Sequence, residues 1–359
     1  MKVSTICKSP LSYSSFRSNF SNKEIAKTYL SELKKIDSQK IFPKIKLHEV
    51  ARDAIQSSED INQKDMIMTL KKSFSKVETV EIGTIFGSKE LKVGSLQWRL
   101  KDSEKSFKEL CDQCLNKPTI SMILAPGTHP SILDKAIELT EYAIKTKTKN
   151  EWAVLVSACE DYAQKNTNRT IKQLLDVSLN QIKVLKAFSW PKIKVYISKI
   201  NQVEKTKELI EQIAKSHPDI LFSLGDTSGK LTPMELNQIL ESPFLNSKNT
   251  SLHLHNGPHK WTNISVFLDQ KFYQFDINLV ACGGLNPLSG EHKKEGQNLS
   301  IIDLITYCHV HKVQLHPTTT NEDYLTECLD AWEAVTSKKF RLEHPQEISS
   351  KMIENKVTI

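Results

Sequence analysis

The feature that most constrains this chain is an alternation of short apolar runs with longer helical patterns, sustained from residue 44 to residue 312. Strand-like runs fall at 44–50, 77–82, 119–124, 152–157, 193–198, 219–224, 250–255 and 275–281. Helical periodicity fills 60–75, 103–116, 130–147, 169–189, 203–216, 232–241, 260–271 and 299–312, and one more helix is predicted near 322–337. Most of the runs are continuously apolar and rich in Val, Ile and Leu, as parallel strands buried on both faces are. Eight strand–helix units over roughly 250–300 residues match the arithmetic of a TIM (β/α)8 barrel. An open, doubly wound α/β sheet is the alternative, but it would normally carry a Gly-rich phosphate fingerprint after its first strand. None is present. No long Gly/Ser/Pro linker interrupts the run. The expected organisation is a short N-terminal extension over 1–40, flexible or targeting, a barrel domain over 41–345 and a tail over 346–359.

Within that frame, polar residues gather where the strands end. Arg52 and Asp53 follow strand one, Glu81 ends strand two and Asp226 ends strand six. His253 and His255 end strand seven, and Asn298 lies in the loop after strand eight. Residues two apart on a strand point to one face, so two imidazoles at i and i+2 can grip one ion. Asp53, His253, His255 and Asn298 would make a mixed oxygen and nitrogen set suited to a divalent cation such as Mg²⁺ or Mn²⁺. In a barrel of this kind the carboxyl-terminal face carries the active site. Side chains placed for stability alone would scatter to both ends. Glu81 reads equally as an internal salt-bridge partner or a substrate ligand. Asp226 reads as a cap for the following helix or a brace for Arg52. His48 and His259 read as ordinary surface residues. Trp98, Trp152, Trp190, Trp261 and Trp332 read as helix–barrel packing.

Composition narrows the class. The 359 residues are 39% hydrophobic and 25% charged, which describes a soluble globular protein, and no stretch approaches the ~20 apolar residues of a membrane span. The net charge of +7 comes from lysines set beside acids, which reads as solvated helix faces rather than a nucleic-acid surface. Neither nucleic acid nor membrane is expected as a partner. The seven cysteines are odd in number and spread out, as in a reducing compartment. The lone Cys111-Asp-Gln-Cys114 reads as two thiols on one helix. The first 22 residues hold Lys2, Lys8 and Arg17 with many serines and no acid. That suits a disordered tail in a cytoplasmic protein or a mitochondrial transit peptide.

The ordered motifs resemble the 3-hydroxy-3-methylglutaryl-CoA lyases, within the wider metal-dependent lyase and synthase group built on an Arg-Asp pair after strand one. Leu47-His-Glu-Val-Ala-Arg-Asp-Ala-Ile-Gln56 is similar to the opening motif, and Ser157-Ala-Cys-Glu-Asp-Tyr-Ala-Gln-Lys-Asn-Thr-Asn-Arg-Thr-Ile171 to the segment after strand four. Ser223-Leu-Gly-Asp-Thr-Ser-Gly229 with Thr232-Pro233, Leu252-His-Leu-His255 and Gly296-Gln-Asn298 complete the series over about residues 44–345. The resemblance implies a divalent metal, Mg²⁺ or Mn²⁺, held by Asp53, His253, His255 and Asn298. It implies an enolate steadied by Arg52 and a pocket lined by Glu81 and Asp226, with Asp53 and His253 as base and relay. The activity it implies is retro-Claisen cleavage of an acyl-CoA, as in leucine catabolism and ketone body metabolism, by a pyruvate carboxyltransferase-type domain that could dimerise. The alternatives are a related acyl-CoA condensing synthase or aldolase, though such synthases usually carry a further regulatory region, and a catalytically impaired homologue that binds metal and ligand without turnover. One departure stands out. The family's loop after strand eight begins Gly-Gly-Cys, and that cysteine acts as an acid. Here Gly283-Gly284 is followed by Leu285, with Cys282 and His292 as the nearest substitutes. A second departure is Asn256-Gly257-Pro258 after the paired histidines.

Overall fold

The computed structural model describes residues 21–33, 45–50, 77–85, 103–113, 118–127, 129–277, 298–299, 301–311 and 321–336. Eight strands close on themselves in the order of the chain, each parallel to its neighbours, with the last paired to the first. They are β1 (Lys46–Glu49), β2 (Thr79–Ile85), β3 (Thr119–Leu124), β4 (Asn150–Ser157), β5 (Lys192–Ser198), β6 (Leu221–Gly225), β7 (Thr250–His253) and β8 (Gln274–Ile277). The expected TIM barrel is therefore what forms.

Outside the strands lie α2 (Ser103–Gln113), α3 (Pro130–Lys145), α4 (Glu160–Thr167), α5 (Ile171–Lys186), α6 (Val203–Ser216), α7 (Pro233–Leu240), α8 (Lys260–Asp269), α9 (Ile301–Val310) and α10 (Asn321–Thr336). Sequence chemistry sets several of their starts. Thr170 opens α5 and Thr232 opens α7 with reciprocal capping boxes, closed by Gln173 and Glu235 respectively. Pro233 occupies the first turn of α7, where no amide hydrogen is needed. A further helix, α1 (Asn22–Leu33), precedes the barrel and packs on α10 and α9. It buries Ala26, Tyr29 and Leu30. Asn22 donates to Asp330 and Glu333 at 2.8 and 3.0 Å, and Tyr29 shares a 2.8 Å hydrogen bond with Thr306.

The main core lies between the strands and the helices. Trp152 is fully buried there, stacked on Phe107, and donates its indole hydrogen to Thr140 at 2.8 Å. Trp261 stacks on Tyr307. Both match the packing expectation, whereas Trp190 is 42% exposed and corrects it. Trp98 and the side chain of Trp332 lie outside the described residues, as do the predicted helix over 60–75 and strand eight beyond Ile277. Cys111 is buried on α2, and Cys114 lies outside the described residues.

The barrel interior is polar at one level. Lys194 on β5 reaches Asp276 on β8 at 3.2 Å, Glu151 on β4 at 3.4 Å and His48 on β1 at 3.1 Å. Ser223 and Ser251 donate to the other Asp276 oxygen, and Ser121 donates to Glu151. His48 is thus an interior residue, 5% exposed, not the surface histidine expected. It follows strand periodicity inward, and a neutral imidazole fits beside the ammonium. Burial, then the Lys194 charge, push its pKa down to about 3. Burial opposes the charge on Lys194, but the Asp276, Glu151 and Glu81 carboxylates outweigh it and hold that pKa above the usual lysine value.

Candidate active site

Two residues further along the same strands, the interior changes character. Val50, Ile123, Ala153 and Tyr196 form a small apolar cluster of their own, each two positions past a member of the polar network. His253 stands two past Ser251 at the same end of β7. This level lies nearer the carboxyl ends of the strands, so the polar network lies beneath the candidate site.

Several expected site residues meet here. His253 and His255 converge, with Nε2 atoms 3.2 Å apart and ring centroids 5.1 Å apart. Leu254 between them is buried on the opposite face. The strand-like run was expected to include both histidines, but β7 ends at His253. His255 lies past it in an antiparallel bridge to Asn298. The Leu299 amide donates to the Leu254 carbonyl at 2.7 Å, so the segment returning after strand eight is fastened to the histidine segment. His253, His255 and Asn298 are all at least 94% buried.

Glu81 is the third residue of β2, not its last, because the strand continues to Ile85 through an irregularity between Glu81 and Thr84. It accepts from the Tyr196 hydroxyl at 3.0 Å, and the Tyr196 ring meets His253 edge-on, centroids 5.9 Å apart. No sequence motif marks Tyr196. The signal was available in the strand period, since Tyr196 lies two positions past Lys194 on the same inward row.

Asp226 directly follows β6, and its amide donates to the His253 carbonyl at 3.0 Å. One of its side-chain oxygens accepts from the amides of Lys230 and Leu231, at 3.0 and 3.2 Å. The carboxylate therefore clamps its own loop, and the cap of α7 is Thr232 instead. Burial raises its pKa to about 6, against the pull of the Leu231, Lys230 and Gly229 amides and the Lys199 charge. The loops after β6 and β7 lie back to back. A methyl group on Gly257 would fall 1.8 Å from the Gly229 carbonyl oxygen, and one on Gly229 would fall 2.2 Å from the Asn256 carbonyl oxygen. Gly229 also holds a φ of 65°, where glycine is at no disadvantage. Gly257 in the Asn-Gly-Pro departure thus has a structural reason, because only a glycine there lets the two loops touch. His259, at the start of α8, is half-buried and makes no side-chain cap.

Arg52, Asp53, Cys282, Leu285 and His292 lie outside the described residues. Among the described residues no cluster of three or more His, Cys, Asp or Glu side chains gathers as a metal cage. The paired imidazoles are within hydrogen-bond distance of each other, and that spacing also suits two ligands of one ion. Ligands ~2.1 Å from a six-coordinate ion stand ~3.0 Å apart in adjacent positions, close to the 3.2 Å between the two ring nitrogens.

The site and the scaffold together define a (β/α)8 barrel with a buried histidine pair at its carboxyl-terminal mouth. No family model matches the sequence, and no curated protein does. Solved structures share the fold. The hydroxymethylglutaryl-CoA lyase of Bacillus subtilis superposes with a TM-score of 0.67 at 19% identity, covering 85% of this chain and 98% of that one. The lyase of Pseudomonas aeruginosa gives 0.64 at 20%, covering 86% and 99%. That of Acinetobacter baumannii, solved with coenzyme A and 3-methylmalate, gives 0.65 at 16%, covering 84% and 93%. The chain has the fold of the hydroxymethylglutaryl-CoA lyases.

Proposed function

We propose that the protein is a divalent-metal-dependent carbon–carbon lyase acting on a 3-hydroxyacyl-CoA of the hydroxymethylglutaryl type. The observation that carries this reading is the His253–His255 pair, with ring nitrogens 3.2 Å apart at the barrel mouth and Asn298 bridged to His255. Asp53, His253, His255 and Asn298 would hold the ion, Mg²⁺ or Mn²⁺. When bound, it would orient the substrate hydroxyl and lower its pKa. Asp53 and His253 then take the hydroxyl proton as base and relay. The C–C bond breaks as the hydroxyl carbon becomes a ketone, and the bonding pair leaves as a thioester enolate. Arg52 supplies charge and donors at the enolate oxygen, a contribution elsewhere worth ~3–4 kcal/mol per well-placed donor. Glu81, fixed by Tyr196, and Asp226 line the pocket. An acid must finally protonate the enolate carbon to give acetyl-CoA. The solved relative that holds coenzyme A supports a CoA thioester as the substrate class.

Incubation of purified protein with Mg²⁺ or Mn²⁺ and 3-hydroxy-3-methylglutaryl-CoA tests the reading. It expects acetoacetate and acetyl-CoA in equal amounts, and no acetoacetate above background contradicts it. Leu285 favours one second reading, a relative that binds metal and acyl-CoA without turnover, since a leucine donates no proton. In that case metal binds, while the methyl protons of acetyl-CoA fail to exchange with deuterium.

A further inference from the structure

The end of the barrel opposite the mouth carries a surface that the lyase reading does not use. Two neighbouring connections meet there, 146–149 between α3 and β4 and 187–191 between α5 and β5. They are fastened together, because the Trp190 indole donates to the Thr148 carbonyl at 2.9 Å. Lys192 follows directly and stands in register with Glu151 at the start of β4. Lys145, Lys147, Lys149 and Lys192 are exposed on this surface, with Ile144 and Trp190 among them. Among the described residues three large hydrophobic side chains are exposed: Ile144, Trp190 and Met234. Two of the three thus sit inside one lysine cluster.

A helix C-terminus favours lysine in any protein, and that accounts for Lys145. It does not account for Lys147, Lys149 and Lys192, which lie beyond the helix ends, nor for an exposed indole and an exposed isoleucine. Acid offsets part of the charge: Asp219 is paired with Lys186, Asp112 accepts from Tyr142 and keeps its charge, Glu141 is exposed one turn before Lys145, and Glu78 is exposed just before β2. An indole tethered at its polar edge, an aliphatic neighbour and several hydrated ammonium groups suit the headgroup level of a bilayer, where apolar bodies sink and charges stay wet. Arginine, which dominates phosphate and base recognition in nucleic-acid binding, is absent from the cluster.

We propose that this corner of the barrel's amino-terminal end is a peripheral docking surface for an anionic lipid bilayer. The sequence-based expectation of no membrane partner rested on the lack of a spanning segment, a criterion that does not reach a surface contact. Docking by this end turns the carboxyl-terminal end of the barrel away from the bilayer.

Flotation of the full-length protein with vesicles tests the proposal. The protein floats with vesicles of phosphatidylcholine mixed with phosphatidylserine, stays behind with phosphatidylcholine alone, and is released by salt as a screened contact must be. The variant K145Q/K147N/K149Q lowers partitioning by roughly tenfold or more. Asn suits position 147, where φ is 56°. W190A lowers it at unchanged charge, with thermal melting confirming that each variant folds. Absence from the anionic vesicles overturns the proposal, as does flotation that the triple variant leaves unchanged. Binding to a single-stranded RNA oligonucleotide without flotation would reassign the surface and overturn it equally.

Discussion

Two histidines separated by one leucine owe their convergence to the period of an extended chain, and their depth to burial on all sides. Replacing either changes the donor set directly. H253A or H255A is expected to weaken Mn²⁺ binding by roughly 100-fold or more, read by calorimetry or electron paramagnetic resonance. Affinity retained in both variants would place the ion elsewhere. His48 governs a different property. Its pKa in the folded protein, about 3, lies below the ordinary value of 6.5, so the unfolded chain takes up its proton first as pH falls. The stability it contributes is complete above about pH 6.5 and is lost progressively between there and about pH 3. H48Q, neutral at every pH, is expected to lose up to roughly 3 kcal/mol less stability than the native protein between about pH 7 and about pH 4. Parallel denaturation curves for the two proteins across that range would contradict the buried neutral imidazole.

Elements, rather than single residues, decide whether the histidines point inward together. The close passage of the loops after β6 and β7 leaves no room for a side chain at 257. G257A is expected to cost about 1–3 kcal/mol of stability and to weaken metal binding in parallel, because His255 must shift with its loop. A melt unchanged from the native protein would show that the loops can part freely. The eight strands and most of the described helices were legible in the sequence, because buried parallel strands are apolar runs and most of the described helices between them bury one face. The ends were less so. Periodicity carried strand seven through His255, whereas β7 stops at His253, because the next partner is the antiparallel bridge to Asn298 rather than a parallel neighbour. The paired histidines and Asn298 were legible as a group. Tyr196 and the Lys194 network were not, because an inward polar residue on a strand differs from an outward one only by its row. His48 was misread for the same reason, and Trp190 because bulk alone does not bury an indole.

At the scale of the whole molecule the barrel is layered along its axis. A lysine cluster with an exposed indole lies at the amino-terminal end, a buried network around Lys194 follows it, and the histidine pair stands at the carboxyl-terminal end. Only the last layer touches substrate in the proposed reaction, and the sequence supplies no evident acid there. L285C is therefore expected to raise acetoacetate formation at least about tenfold if general-acid catalysis alone is missing. An unchanged rate would mean that Cys282, His292 or another group already serves. The most direct measurement of the central claim is anomalous diffraction from crystals grown with Mn²⁺. The expected result is one peak between the His253 and His255 Nε2 atoms at ordinary coordination distance, with the Asp53 carboxylate and Asn298 beside it. A structure with no peak at the histidines, or with Asp53 directed away from them, would contradict the account.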